Sequence, residues 1–215
     1  MEDRDLMLYS YLKGKGGGGG GGGEKPLKIL DYQEVRSGNG TSWTSKSFSL
    51  KAGDTLIFAI MHRDEITTAP QGFTLITSNQ SMSWQRISIY AYTATDTETK
   101  TASFTLSNAR RYDCYLWKME NVSVSENASL KKGQKYSGSF SFTNEYRPML
   151  ILFGCYNGNN WSLSSELKGQ LIFPVMEFTT YAINFNTAYS STLTFTAPSD
   201  QWSTAGIYLT EVSEP

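Results

Sequence analysis

Apolar and polar positions alternate along most of the chain after residue 26, and the alternation predicts strands. Pro26-Leu27-Lys28-Ile29-Leu30-Asp31-Tyr32 reads as a first strand. Ser37-Gly38-Asn39-Gly40 reads as a turn. Trp43 to Leu50 alternates, with Phe48 and Leu50 on one face. Thr55 to Met61 is apolar without a break, which predicts a strand buried on both faces. Turns are expected at Lys51–Asp54 and Ala69–Gly72. Further strands are expected at Phe73–Ile76, Ser83–Ala94, Thr99–Leu106 and Tyr112–Glu120. In the Ser83–Ala94 stretch, Arg86, Ser88 and Tyr90 are placed on the face opposite Ile87, Ile89 and Ala91. Polar Asn121–Lys132 is expected to break the pattern.

The pattern then repeats. Ser47-Phe48-Ser49-Leu50 recurs as Ser139-Phe140-Ser141-Phe142, and Leu56-Ile57-Phe58 as Leu150-Ile151-Leu152. Ser103-Phe104-Thr105 recurs as Thr194-Phe195-Thr196, and Tyr112…Glu120 as Trp202…Glu211. The matches keep one order and an offset of roughly 91–94 residues. Halves at about 41–122 and 134–212 are therefore expected to fold alike. Two copies are too few for a solenoid, so they are expected to close one core. The fold expected is all-β: a jelly-roll-like β-sandwich with an internal pseudo-repeat over residues 24–215, with two separate domains as the alternative.

The first 23 residues differ from the rest. Gly16–Gly23 is a run of eight glycines, a linker with a coil span of about 16 Å. Before it, residues 1–15 hold a short apolar peptide with Leu6, Met7, Leu8, Tyr9, Tyr11 and Leu12 close together. A helix this short is marginal alone in water, so Leu6, Met7, Tyr9, Tyr11 and Leu12 are expected to anchor the chain on a partner surface. A P-loop is excluded because Gly14-Lys15 precedes the glycines and no Ser/Thr follows that lysine.

Composition narrows the classes of function. The 215 residues carry a formal net charge of −1, which gives no electrostatic footprint for nucleic acid or an anionic membrane. No stretch approaches the ~18 apolar residues of a membrane-spanning helix. The opening Glu2-Asp3-Arg4-Asp5 does not fit a signal peptide. Two cysteines, Cys114 and Cys155, both lie in apolar runs and are expected as buried thiols. With one histidine, His62, a zinc site built on several histidines is excluded. His62-Arg63-Asp64-Glu65 reads as a charged loop leaving a buried strand, and a His62–Cys114 nucleophilic pair is the catalytic alternative. No catalytic residues, metal site or cofactor are expected.

Tyr156-Asn157-Gly158-Asn159-Asn160-Trp161 is chemically suited to sugars. Aromatic faces cover the apolar side of a pyranose, and amides bond its hydroxyls. Tyr156, Asn157, Asn159, Asn160 and Trp161 are the candidate ligand-binding residues, against a reading in which Asn-Gly merely turns and Trp161 packs. Trp43 and Trp84 are expected to be packing residues.

Several of these stretches together resemble a known module. They are Gly53-Asp54-Thr55-Leu56-Ile57-Phe58-Ala59, Pro70-Gln71-Gly72-Phe73-Thr74-Leu75, Arg86-Ile87-Ser88-Ile89-Tyr90-Ala91-Tyr92 and Ala102-Ser103-Phe104-Thr105. The set resembles a β-sandwich module widespread in appendage proteins of tailed phages and prophages, of the tail fibre, tail tip and decoration type. Phe73 stands where that pattern often has Trp. The resemblance covers about Thr41–Val212 and brings no active site with it. It implies a virion structural or adhesion subunit, made in the bacterial cytoplasm and held to other virion proteins by its N-terminal peptide. It further implies a homo-oligomer, a trimer in the simplest case, that displays the sandwich to a cell-surface polysaccharide. A glycan-active enzyme and a stand-alone carbohydrate-binding module are the alternatives.

Overall fold

The computed structural model describes residues 29–79, 86–126, 137–143, 149–155, 171–173, 181–185, 190–196 and 202–212. These residues form strands joined by turns, bends and irregular connections, with no helix among them. The anchor peptide, the glycine run and the Tyr156–Trp161 stretch lie outside the described residues.

The first half contributes β1 (Ile29–Thr44), β2 (Phe48–Leu50), β3 (Asp54–His62), β4 (Ile66–Thr68), β5 (Thr74–Asn79), β6 (Arg86–Thr93), β7 (Glu98–Lys100) and β8 (Ser103–Glu120). The second contributes β9 (Val122–Glu126), β10 (Ser137–Thr143), β11 (Met149–Cys155), β12 (Leu171–Phe173), β13 (Tyr181–Phe185), β14 (Ser190–Thr196) and β15 (Trp202–Glu211). A six-stranded sheet has the order β1-β8-β3-β6-β5, with β4 also paired to β8. A five-stranded sheet has the order β12-β13-β11-β15-β9. Two ribbons, β2-β7 and β10-β14, complete the set.

The two halves pair in the same way. In each, an apolar strand (β3 or β11) lies between the last strand of its half (β8 or β15) and another antiparallel strand (β6 or β13). In each, the entering strand (β1 or β9) pairs antiparallel with the last strand, and two further strands form a separate ribbon (β2-β7 or β10-β14). The recurrence of Leu56-Ile57-Phe58 as Leu150-Ile151-Leu152 is thus a recurrence of pairing, whereas Ser103-Phe104-Thr105 lies in the large sheet and Thr194-Phe195-Thr196 in a ribbon.

Sheet packing follows from β3. Every residue from Asp54 to His62 is buried. Ile57, Ala59 and Met61 point to one side and join Ile87, Ile89, Tyr115, Trp117 and Met119. That cluster also holds Val122, Ala205, Ile207 and Leu209 from β9 and β15, so it is the core shared by the two halves. Leu56, Phe58 and Ile60 point to the other side and meet Phe48 and Leu50 of the β2-β7 ribbon, together with Phe104, Tyr112 and Leu116. The six-stranded sheet is therefore a middle layer, and the molecule is a sandwich of sheets packed face to face. Each fully buried Leu, Ile or Phe of β3 contributes about 1.5–3 kcal/mol of transfer free energy.

Three segments differ from the sequence expectation. Ser37–Gly40 makes no turn: β1 runs on through it, with register shifts between Val35 and Gly38 and between Gly40 and Ser42. The glycines serve a different purpose there. A Cβ on Gly38 would stand 2.4 Å from Cε2 of Tyr112, so the ring occupies the place of a side chain. Thr99–Leu106 and Tyr112–Glu120 are not two strands, because Ser103 to Glu120 is one unbroken β8 that can pair with β1, β3 and β4. Nor does Asn121 begin a break. It is a one-residue joint with φ 51°, and β9 starts immediately after it in the other sheet. The face of β6 carrying Ser88 and Tyr90 is buried too, because the middle layer is covered on both sides.

Candidate functional site

The charged stretch His62-Arg63-Asp64-Glu65 begins at the far end of β3. His62 is the last residue of that strand, opposite Arg86 on β6 and Tyr112 on β8. It is 1 % exposed. Its Nδ1 lies 2.5 Å from the main-chain oxygen of Asp64. A carbonyl only accepts, so Nδ1 carries the hydrogen and donates. Nε2 then accepts from the hydroxyl of Ser88 at 3.3 Å. Burial holds the imidazole pKa down at about 4, with the bond to Asp64 opposing the shift. The ring is neutral at neutral pH.

The loop beyond is fastened rather than open. The Asp64 carboxylate accepts from Asn108 at 3.1 Å and lies 3.5 Å from Nε of Arg110. Ser107 donates its main-chain N–H to the oxygen of Glu65 at 2.9 Å. Chemically, the set Ser88–His62–Asp64 is a hydrogen-bonded chain that lets a polar strand end be buried. Ser88, whose hydroxyl bonds the imidazole, is itself 1 % exposed.

The Cys114 alternative does not assemble. Cys114 belongs to the apolar cluster around Phe58. Burial, and then the nearby charge of Asp113, push its thiol far up, away from the thiolate that a nucleophile needs. Both nitrogens of His62 are meanwhile engaged with Asp64 and Ser88. Among the described residues, no three His, Cys, Asp or Glu side chains converge as a metal site.

A second polar cluster joins the ribbon to the middle sheet. Lys118 Nζ lies 2.8 Å from Asp54 Oδ2 and donates to the main-chain oxygen of Ser49 at 2.7 Å. The same Asp54 oxygen accepts from the N–H of Lys51 at 2.8 Å, closing the β2–β3 turn. Gly53, at φ 88°, supplies the left-handed residue that the turn requires. Farther out, Phe73 packs on Tyr92 with ring centroids 5.5 Å apart, and Lys100 Nζ sits 4.1 Å from the centre of the Tyr92 ring. The Tyr92 hydroxyl donates to Glu98 at 2.5 Å, a bond that raises its pKa. Leu75 beside them is 48 % exposed. Phe73 thus occupies a half-buried stacking position, which accounts for an aromatic residue after the Pro70–Gly72 turn.

The sequence placed the catalytic alternative at His62 and Cys114 and missed Ser88. Only the unbroken apolar run of β3 hints at it, since a strand covered on both faces buries its neighbours' polar faces as well. Trp43 is a packing residue as expected, stacked on Phe58 at 5.8 Å. Trp84, the anchor residues Leu6, Met7, Tyr9, Tyr11 and Leu12, and the sugar-suited Tyr156, Asn157, Asn159, Asn160 and Trp161 lie outside the described residues. No protein-family model, no curated protein and no solved structure matches this chain.

Proposed function

We propose that this chain is a non-catalytic subunit of a phage particle that displays a doubled β-sandwich at the end of a flexible tether. The observation that carries this reading is the repeated pairing plan with its shared core, entered through an edge strand soon after the glycine run. Such a body is rigid, while eight glycines leave its orientation free. The buried titratable groups His62, Asp54 and Cys114 have structural partners or apolar surroundings, which favours display over catalysis. Met1–Lys13 binds another virion protein, and the sandwich assembles as a homo-oligomer. The Tyr156–Trp161 stretch contacts cell-surface polysaccharide weakly, with avidity from the copies.

The test is binding of full-length protein to host-envelope polysaccharide, with Trp161→Ala and a Leu6→Asp/Leu12→Asp double variant beside it. The reading expects Trp161→Ala to lose polysaccharide binding and the double variant to keep it while losing attachment to particles. Full retention of both properties in both variants contradicts it.

A further inference from the structure

The geometry points to Asn39 as a site of spontaneous covalent modification, in which the side-chain amide is converted to an aspartyl or isoaspartyl carboxylate. Asn39-Gly40 sits in the middle of β1, an edge strand paired on one side only, with β8, among the described residues. The Asn39 side chain is exposed. Register shifts flank the dipeptide on both sides, between Val35 and Gly38 and between Gly40 and Ser42. Gly40 has φ 155°, and a Cβ there would meet only the oxygen of Ser42, at 3.9 Å. The place of a Gly40 side chain is therefore open, and glycine offers none of its own to hinder attack.

The reaction is internally balanced. The Gly40 main-chain nitrogen gives its proton to hydroxide and attacks the side-chain carbonyl carbon of Asn39. The new C–N bond closes a five-membered imide, and the amide nitrogen takes a proton from water, regenerating hydroxide, and leaves as ammonia. Water then opens the ring at either carbonyl. Opening at the main-chain carbonyl gives the isoaspartyl form, which inserts one extra carbon into the backbone of β1. Arg110 and Arg111 face Gly40 and Asn39 across the ladder, and positive charge there favours both the amide anion and the carboxylate product. Ring closure needs Asn39 to leave its extended conformation, so the rate reports local opening of this stretch. A bulged edge segment lies at the low end of opening free energies.

The consequence falls on the strand through which the tether enters the body. An inserted backbone atom breaks the register of β1 with β8 beyond Gly40, where Ser42, Trp43 and Thr44 pair with Thr105, Phe104 and Ser103.

The experiment incubates the full chain at pH 8.5 and 37 °C and follows the peptide containing Asn39 by mass spectrometry. A free synthetic peptide of residues 35–43 is the reference clock. The peptide containing Asn157-Gly158 is followed separately, so that its own conversion is not mistaken for that of Asn39. The expected result is conversion at Asn39 slowed no more than about tenfold relative to the free peptide, an opening cost of about 1.4 kcal/mol. Asn39→Gln abolishes the mass gain at this peptide, and Gly40→Ala retards it. Slowing greater than tenfold overturns the proposal, as does unchanged conversion in Gly40→Ala.

Discussion

At the residue scale, His62 gives the sharpest prediction. Its pKa lies near 6.5 in the unfolded chain and about 4 in the fold. The folded state therefore favours the neutral ring. That stability is present above pH 6.5 and is lost as pH falls from 6.5 to about 4, because the unfolded chain takes up the proton first. The loss is about 3 kcal/mol across that window. Urea midpoints for wild type and His62→Gln, measured at several pH values from 7 to 4, check it. The wild type should lose more stability than the variant over this range, and parallel curves would contradict the assignment. Gly38 gives a second prediction. Gly38→Ala places a methyl group 2.4 Å from the Tyr112 ring and should destabilise by about 1–3 kcal/mol, read from chemical denaturation. The ring has little freedom to yield, because it packs edge-on against Phe104 at 5.1 Å.

The strands themselves were largely legible from alternation, because β2, β3 and β6 each have a face whose cover the residue pattern announces. What alternation does not carry is which partner a strand finds. Ser37-Gly38-Asn39-Gly40 has turn composition, yet a long neighbour in β8 keeps it extended and the glycines become bulges. Val122–Glu126 has polar composition, yet β15 offers it an edge. Both depend on chain segments 74 and 89 residues away, from Gly38 to Tyr112 and from Val122 to Glu211, which a local window does not contain. The same holds for the chain of hydrogen bonds at His62, whose Ser88 lies 26 residues off. At the level of elements, the ion pair of Asp54 and Lys118 should fasten the β2-β7 ribbon to the middle sheet. The two side chains are 4 % and 15 % exposed, so removing one leaves a charge poorly solvated. Asp54→Ala should cost about 3 kcal/mol by denaturant titration, toward the lower end for a buried pair. Amide exchange in Phe48–Leu50 should accelerate before that of β3. Equal acceleration throughout would show that the pair does not act on the ribbon.

At the scale of the whole molecule, the two halves meet at Asn121. Its N–H bonds the oxygen of Gly53 at 3.2 Å, and its own oxygen accepts from Val212 at 2.8 Å. Thr55, deep in β3, donates to the oxygen of Val122 at 2.8 Å and so ties the middle sheet to the entering strand of the second half. Asn121 holds φ 51°, a left-handed backbone that suits Asn and Gly. Asn121→Ala should therefore destabilise the fold by about 1–2 kcal/mol, and Asn121→Gly by less. Thermal denaturation of the two variants distinguishes these outcomes. Together with Val122, Ala205, Ile207 and Leu209 in the shared core, the joint makes the halves mutually dependent.

A rigid doubled body displayed by a tether rests on that dependence. Differential scanning calorimetry of the full chain tests it most directly. One transition, with calorimetric and van't Hoff enthalpies equal, is the result predicted for halves that share a core. Two separable transitions, or a calorimetric enthalpy near twice the van't Hoff value, would contradict it and make the chain two independent sandwiches in tandem.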